Sequence, residues 1–159
     1  MNKLVLPIVL PMALIAASFT AQAGIKDKKA KKVATTTMDA ALAKAKTSCG
    51  NAKLEGKIDW SSWGSYKYEK MSGGRAKDVV IHDAGTLLEG VISEMADLCK
   101  DADYKEELAK ITTIAVSGKK DQSSMYVGFK LDGATLKMDL NADAIGSWKN
   151  KDLLKKIWE

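Results

Sequence analysis

Residues 111–140 read ITTIAVSGKKDQSSMYVGFKLDGATLKMDL. Met125, Val127, Phe129 and Leu131 fall on one face of an extended chain, and Leu136, Met138 and Leu140 share a face after the break. A period of two over such short spans is the signature of half-buried strands. Asp132-Gly133 between them is the strongest hairpin signal in the chain, because a tight two-residue turn needs positive φ. Ser117 to Asp121 is a looser polar turn. The stretch therefore predicts three consecutive strands, Ile111–Val116, Met125–Lys130 and Ala134–Leu140, arranged as a meander.

Upstream, the period changes to that of a helix. Leu87, Leu88, Val91, Ile92, Met95, Leu98 and Cys99 form the widest apolar stripe, with Asp83 as its cap. Asp101 to Lys110 adds a further turn or two. Leu54, Ile58 and Trp60 alternate with Lys53, Glu55, Lys57 and Asp59, a strand whose weak point is Gly56. Tyr66 and Tyr68 alternate with Lys67 and Glu69 and suggest a second short strand returning beside it. Met38, Ala41, Leu42 and Ala45 mark a first helix that begins near Thr36 or Thr37 and stops at Gly50. A last helix carries Ile145, Trp148, Leu153, Leu154, Ile157 and Trp158 behind a cap at Asn141 or Asp143, with possible breaks at Gly146 and Asn150. The expected fold class is α+β: an antiparallel sheet of about four to five strands, including the C-terminal three-stranded meander, packed against helices on one face.

The ends of the chain say where it goes. Lys3 precedes an uncharged run from Leu4 to Phe19, and Ala21-Gln22-Ala23 supplies small residues for a signal peptidase. Residues 1–23 are read as a secretory signal peptide, 24–35 as a flexible lysine-rich lead-in, and 36–159 as a single domain. The apolar run is too short and too proline-broken for a comfortable membrane span, so no transmembrane segment is expected once the signal is removed. Cys49 and Cys99 are the only cysteines, and an even count in an exported chain reads as one disulfide. The expected location is the periplasm or the outside of the cell.

Composition narrows the chemistry. Of 25 basic residues only Arg75 is arginine, and lysine lacks the bidentate fork that reads phosphates and base edges, so specific nucleic-acid binding is not expected. Neither a CxxC pair nor a cysteine and histidine cluster supports redox or zinc chemistry, and no cofactor is expected. The single histidine, His82, lies beside Asp83 without a serine elbow, and a hydrolase using His82 ranks last among the functional readings. The segment WSSWGSYKY, 60–68, gathers four of the ten aromatics. Trp60 ends the apolar face of its strand and reads as core. Trp63, Tyr66, Tyr68 and Arg75 are the candidate binding residues, since tyrosine and tryptophan supply large, rigid contact area. In a domain with few aromatics the same three rings also suit core or hairpin packing, and for Trp63 the two readings stay open.

These features describe a small exported, disulfide-bonded, non-catalytic protein that engages another protein. Inhibitor and immunity proteins share this size and location, an analogy that reaches no further. The alternative is a carrier for a small amphiphile, with Leu88, Met95, Met125 and Met138 lining a cavity; methionines also fill ordinary cores.

Overall fold

A computed structural model of the chain describes residues 15–65, 77–119, 127–141 and 150–159, with side chains considered from residue 24 onward. Helix α1 spans Ile15–Cys49, strand β1 Glu55–Asp59, helix α2 Lys77–Leu98 and helix α3 Ala102–Ala109. Strands β2 (Thr113–Lys119), β3 (Val127–Asp132) and β4 (Thr135–Asn141) follow, then helix α4 (Asn150–Lys155).

Two long helices lie side by side and run in the same direction. Three contacts fix this: Asp27 with Lys77 at 3.4 Å, Ala34 with Gly85, and the Cys49–Cys99 disulfide with Cα atoms 5.1 Å apart. The helices approach closely because Gly85 has no side chain. A Cβ there would lie 2.7 Å from the Ala34 Cα. Gly50, at φ +66°, ends α1: its N–H bonds to Thr47 O and that of Asn51 to Lys46 O, the paired arrangement that closes a helix on a left-handed glycine. Asn51, buried, then donates to Leu108 O (3.1 Å) and Ile111 O (2.6 Å), pinning the α3–β2 junction to the end of α1. Asp101 caps α3 by accepting from the Asp103 N–H.

Both helices start earlier than their periodicity predicts. The segment 24–35, expected as a flexible lead-in, is helical, and its Ala30 and Ala34 are buried with Ile81. Two alanines one turn apart make a contact stripe too small in volume to stand out from the surrounding lysines, all of which sit on the other side or the flank of the helix. Helix α2 likewise begins at Lys77 rather than Asp83, which brings Val80 and Ile81 into the core.

The sheet has four strands in the order β1-β2-β4-β3, so its composition is mixed and mostly parallel, not antiparallel. Strand β1 pairs parallel with β2 (Glu55 with Thr113, Asp59 with Ser117), as a crossover through α2 and α3 requires. Strand β2 pairs parallel with β4, and only β3 with β4 is antiparallel. The predicted meander is thus corrected: β4, not β3, lies beside β2. Burial gives the reason. Leu136, Met138 and Leu140 of β4 are fully buried, while Phe129 and Leu131 of β3 are only half-buried, so the strand with the uninterrupted apolar face takes the middle. The hairpin loop is Gly133-Ala134, one residue later than Asp132-Gly133, with Gly133 at φ +56°. The expected strand at Tyr66 and Tyr68, and the caps at Asn141 or Asp143 with Ile145 and Trp148, lie outside the described residues or at their margin.

One apolar cluster joins these elements, from Met38 and Leu42 on α1 through Leu88, Ile92 and Met95 on α2 to Ile114, Met138 and Leu154. Each such side chain contributes about 1.5–3 kcal/mol by leaving water. Gly56 is where α1 meets the sheet: a Cβ there would sit 2.6 Å from Leu42 Cδ1 and 2.8 Å from Met38 Cε. Helix α4 lies against α2 and β3, with Leu154 buried and Trp158 beside Tyr104 at 5.8 Å.

Candidate binding surface

A strand presents alternate side chains to opposite faces, so a sheet whose inner face is packed must display its other set outward. In this sheet the outward set is polar, and the register arranges it in rows. Lys57, Ala115, Lys137 and Lys130 lie across β1, β2, β4 and β3 in one row, spanning about 14 Å at the usual interstrand spacing. The three lysines are exposed. Asp59, Ser117 and Asp139 form the next row.

Lys130 and Lys137 stand directly opposite one another on the antiparallel pair. Like charges in that position oppose strand pairing. Lys137 partly compensates by bonding to Asp132 Oδ2 at 2.5 Å, and this bond, with the lysine charge behind it, holds the Asp132 carboxyl below its ordinary pKa. Lys130 has no such short contact among the described residues.

An open groove of about 370 Å³ crosses this face and is lined by Lys57, Asp59, Ala115, Ser117, Lys137 and Asp139, among others. Its floor is fixed. Ser117 Oγ donates to Asp139 (2.5 Å), Ser62 Oγ accepts from the Gly118 N–H (2.8 Å) and donates to Asp59 O (2.5 Å), and the Ser61 N–H donates to Asp59 Oδ1 (3.0 Å). The Ser61 hydroxyl also bonds to Asp59 and is the chief cause of that carboxyl's lowered pKa; slight desolvation opposes it and the backbone N–H donors reinforce it. A second open groove of about 340 Å³ separates α1 from the β1 edge, between Asp39, Leu42 and Lys46 on one side and Glu55 and Gly56 on the other.

The residues proposed from sequence divide into two groups. Trp63 sits in a single 3₁₀ turn, Ser62–Ser65, and is 1% exposed, one of the most deeply buried large side chains. It packs 6.1 Å from Trp60, centroid to centroid, so of the two readings open for Trp63 its burial favours core packing over an accessible anchor. Trp60, expected as core, is the more exposed of the two and lies under the Lys31 ammonium at 5.7 Å. Tyr66, Tyr68 and Arg75 lie outside the described residues. His82 is exposed on α2, with Nδ1 3.7 Å from Asp83 Oδ1. Among the described residues no cluster of histidine, cysteine and carboxylate groups could hold a metal ion, and no helix is long and apolar enough to cross a membrane.

The lysine row is absent from the sequence-derived candidates. Its signal was the hairpin: with the loop at Gly133-Ala134, Lys130 and Lys137 become direct partners, whereas a loop at Asp132-Gly133 sets Lys130 against Thr135. Of the carrier's proposed lining, Leu88, Met95 and Met138 are buried together in the main cluster, Met125 lies outside the described residues, and the two grooves described above are open to solvent. No known protein family, no curated protein and no solved structure matches the chain.

Proposed function

We propose that this is an exported, non-catalytic binding protein that engages another protein through the polar face of its sheet. The observation that carries the reading is the Lys57, Lys137, Lys130 row with its directly opposed lysine pair, an arrangement that costs the sheet stability and that an acidic partner would relieve. The Cys49–Cys99 disulfide is compatible with an oxidising compartment. Tyr66, Tyr68 and Arg75, which follow the 3₁₀ turn in the sequence, are kept as candidate contact residues on the strength of their side-chain types alone. Tyrosines would supply contact energy and the lysines would steer the encounter.

Lys130→Glu tests the reading in one variant. Turning the like-charged pair into an opposite one should stabilise the fold by about 0.2–1 kcal/mol in urea titrations. The same change should slow association with the protein captured from a periplasmic extract by the native chain, and the combined Lys57→Glu, Lys130→Glu, Lys137→Glu variant should lose that protein at moderate salt. Undiminished capture by the triple variant overturns the sheet face as the docking surface.

A further inference from the structure

A second charged surface lies on α1, away from the sheet. Burial of Ala30 and Ala34 against Ile81 fixes the rotation of this helix, and the ion pair of Asp27 with Lys77 holds its start. The outward face is therefore determined. It carries Lys28, Lys29 and Lys32, flanked by Lys26, and among them Ile25 at 55% and Val33 at 47% exposure. Ile25, Lys29 and Val33 follow one another at intervals of four, one row along the helix, with Lys28 and Lys32 in the adjacent row. Asp27, the one acid between Gly24 and Thr37, is turned inward to Lys77, and Lys31 is turned to Trp60, so no ion pair neutralises the outer lysines among the described residues.

We propose that this face docks the protein on a bilayer surface rich in anionic phospholipid. Repeated lysines at intervals of three and four repel one another, so the helix bears a cost that a plane of negative charge removes. Two aliphatic side chains standing exposed between those lysines suit the boundary between headgroups and acyl chains, while lysine stems extend to keep their ammonium groups among the phosphates. Lysine, a mobile point charge, matches a fluid array of headgroups better than the fixed fork of arginine. The face is a single convex helix surface, and it commits to a lipid plane in preference to an acidic protein.

The test is cosedimentation of the exported protein, its N-terminus first established by intact mass, with vesicles of phosphatidylcholine containing about one third phosphatidylglycerol. Binding is expected to these vesicles, not to pure phosphatidylcholine, and to disappear near ~0.5 M salt, where the screening length falls to a few ångström. Each lysine is expected to be worth about fivefold in partitioning, about 1 kcal/mol. Lys28→Gln, Lys29→Gln and Lys32→Gln together should therefore lower it on the order of a hundredfold, with a melting temperature that is not reduced and rises slightly as the repulsion is relieved. Ile25→Ser with Val33→Ser should weaken it while preserving its salt dependence. Equal binding to uncharged vesicles, undiminished binding of the triple variant, no binding of the native protein, or equally tight capture by soluble poly-glutamate each overturns the proposal.

Discussion

Trp60 and Trp63 show how a single residue's role turns on the phase of the backbone. Alternation along Leu54, Ile58 and Trp60 is correct as far as the strand goes, but the chain enters a 3₁₀ turn at Ser62 and the phase is lost. Trp63 then drops into the core, and Trp60 spans the gap between the main cluster and the Ala30, Ala34, Ile81 cluster. Trp63→Ala should accordingly cost about 3–5 kcal/mol through the cavity it leaves, read in urea titrations, with a visibly smaller loss for Trp60→Ala. A Trp63 variant of native stability would contradict its placement. Glu94 offers a residue-scale test of electrostatics. Its carboxyl pKa is raised above the ordinary 4.5, chiefly by burial; the Lys151 N–H and charge lower it, while Asp152 and Asp97 push it up. An acid raised in the folded state holds more protons folded than unfolded between the two values, so stability falls as pH rises from about 4.5 through the raised value. Asp59, Asp97 and Asp132, lowered by hydrogen bonds from Ser61, Lys100 and Lys137, act in the opposite sense, losing stability as pH falls below 3.8. In Glu94→Gln the decline between pH 4.5 and neutrality should flatten, as followed by thermal melts across that range; an unaltered pH profile would show that Glu94 titrates normally.

At the scale of elements, existence was legible in the sequence and extent or order was not. The stripe from Leu87 to Leu98, the alternation of β1 and the turn at Gly133 all rest on side chains within a few residues of one another, and these local patterns survive in the fold. The start of α1 was hidden because its buried side is made of alanine, which gives little apolar contrast, and its partner Gly85 reads as a helix weakness when it is the point of closest approach. Strand order was hidden because β4 reaches β2 across β3, a non-local choice decided by which strand is apolar enough for the centre. The lysine row depends on both and could not be read without them. The contact of Ala34 with Gly85 sets a direct prediction: Gly85→Ala, neutral or stabilising in an exposed helix, should cost about 1–3 kcal/mol here because the new Cβ meets Ala34 backbone and not a movable side-chain tip. Chemical denaturation measures it, and a gain in stability would mean that the helices are farther apart than described.

For the whole molecule, the disulfide decides how costly the topology is to assemble. The cysteine pairing itself was legible, since two cysteines leave one partner each. So was its place at two helix C-terminal ends, because Gly50 stops one helix just after Cys49 and the apolar stripe of the other ends at Cys99; that the two helices run parallel follows only from the fold. Glu55 and Thr113 pair in the sheet although 58 residues separate them along the chain. With the bridge closed, the path runs 6 residues from Glu55 to Cys49 and 14 from Cys99 to Thr113. Shortening the loop that much saves about 1 kcal/mol of closure entropy for the β1–β2 pairing, on the order of fivefold in rate if that pairing forms in the folding transition state. The bridge as a whole closes a 50-residue span, worth about 4 kcal/mol in the unfolded chain, and both cysteines are buried, so their removal also leaves uncompensated space in the core. Cys49→Ala with Cys99→Ala should therefore lose about 4 kcal/mol or more at equilibrium, while refolding slows only about fivefold and unfolding accelerates by the remainder. Stopped-flow refolding and unfolding of the oxidised protein and the double variant separate the two contributions. If the whole loss instead appears in the refolding rate, the parallel pairing and the helix–helix contact form together early, and the bridge acts on the nucleus rather than on the finished fold.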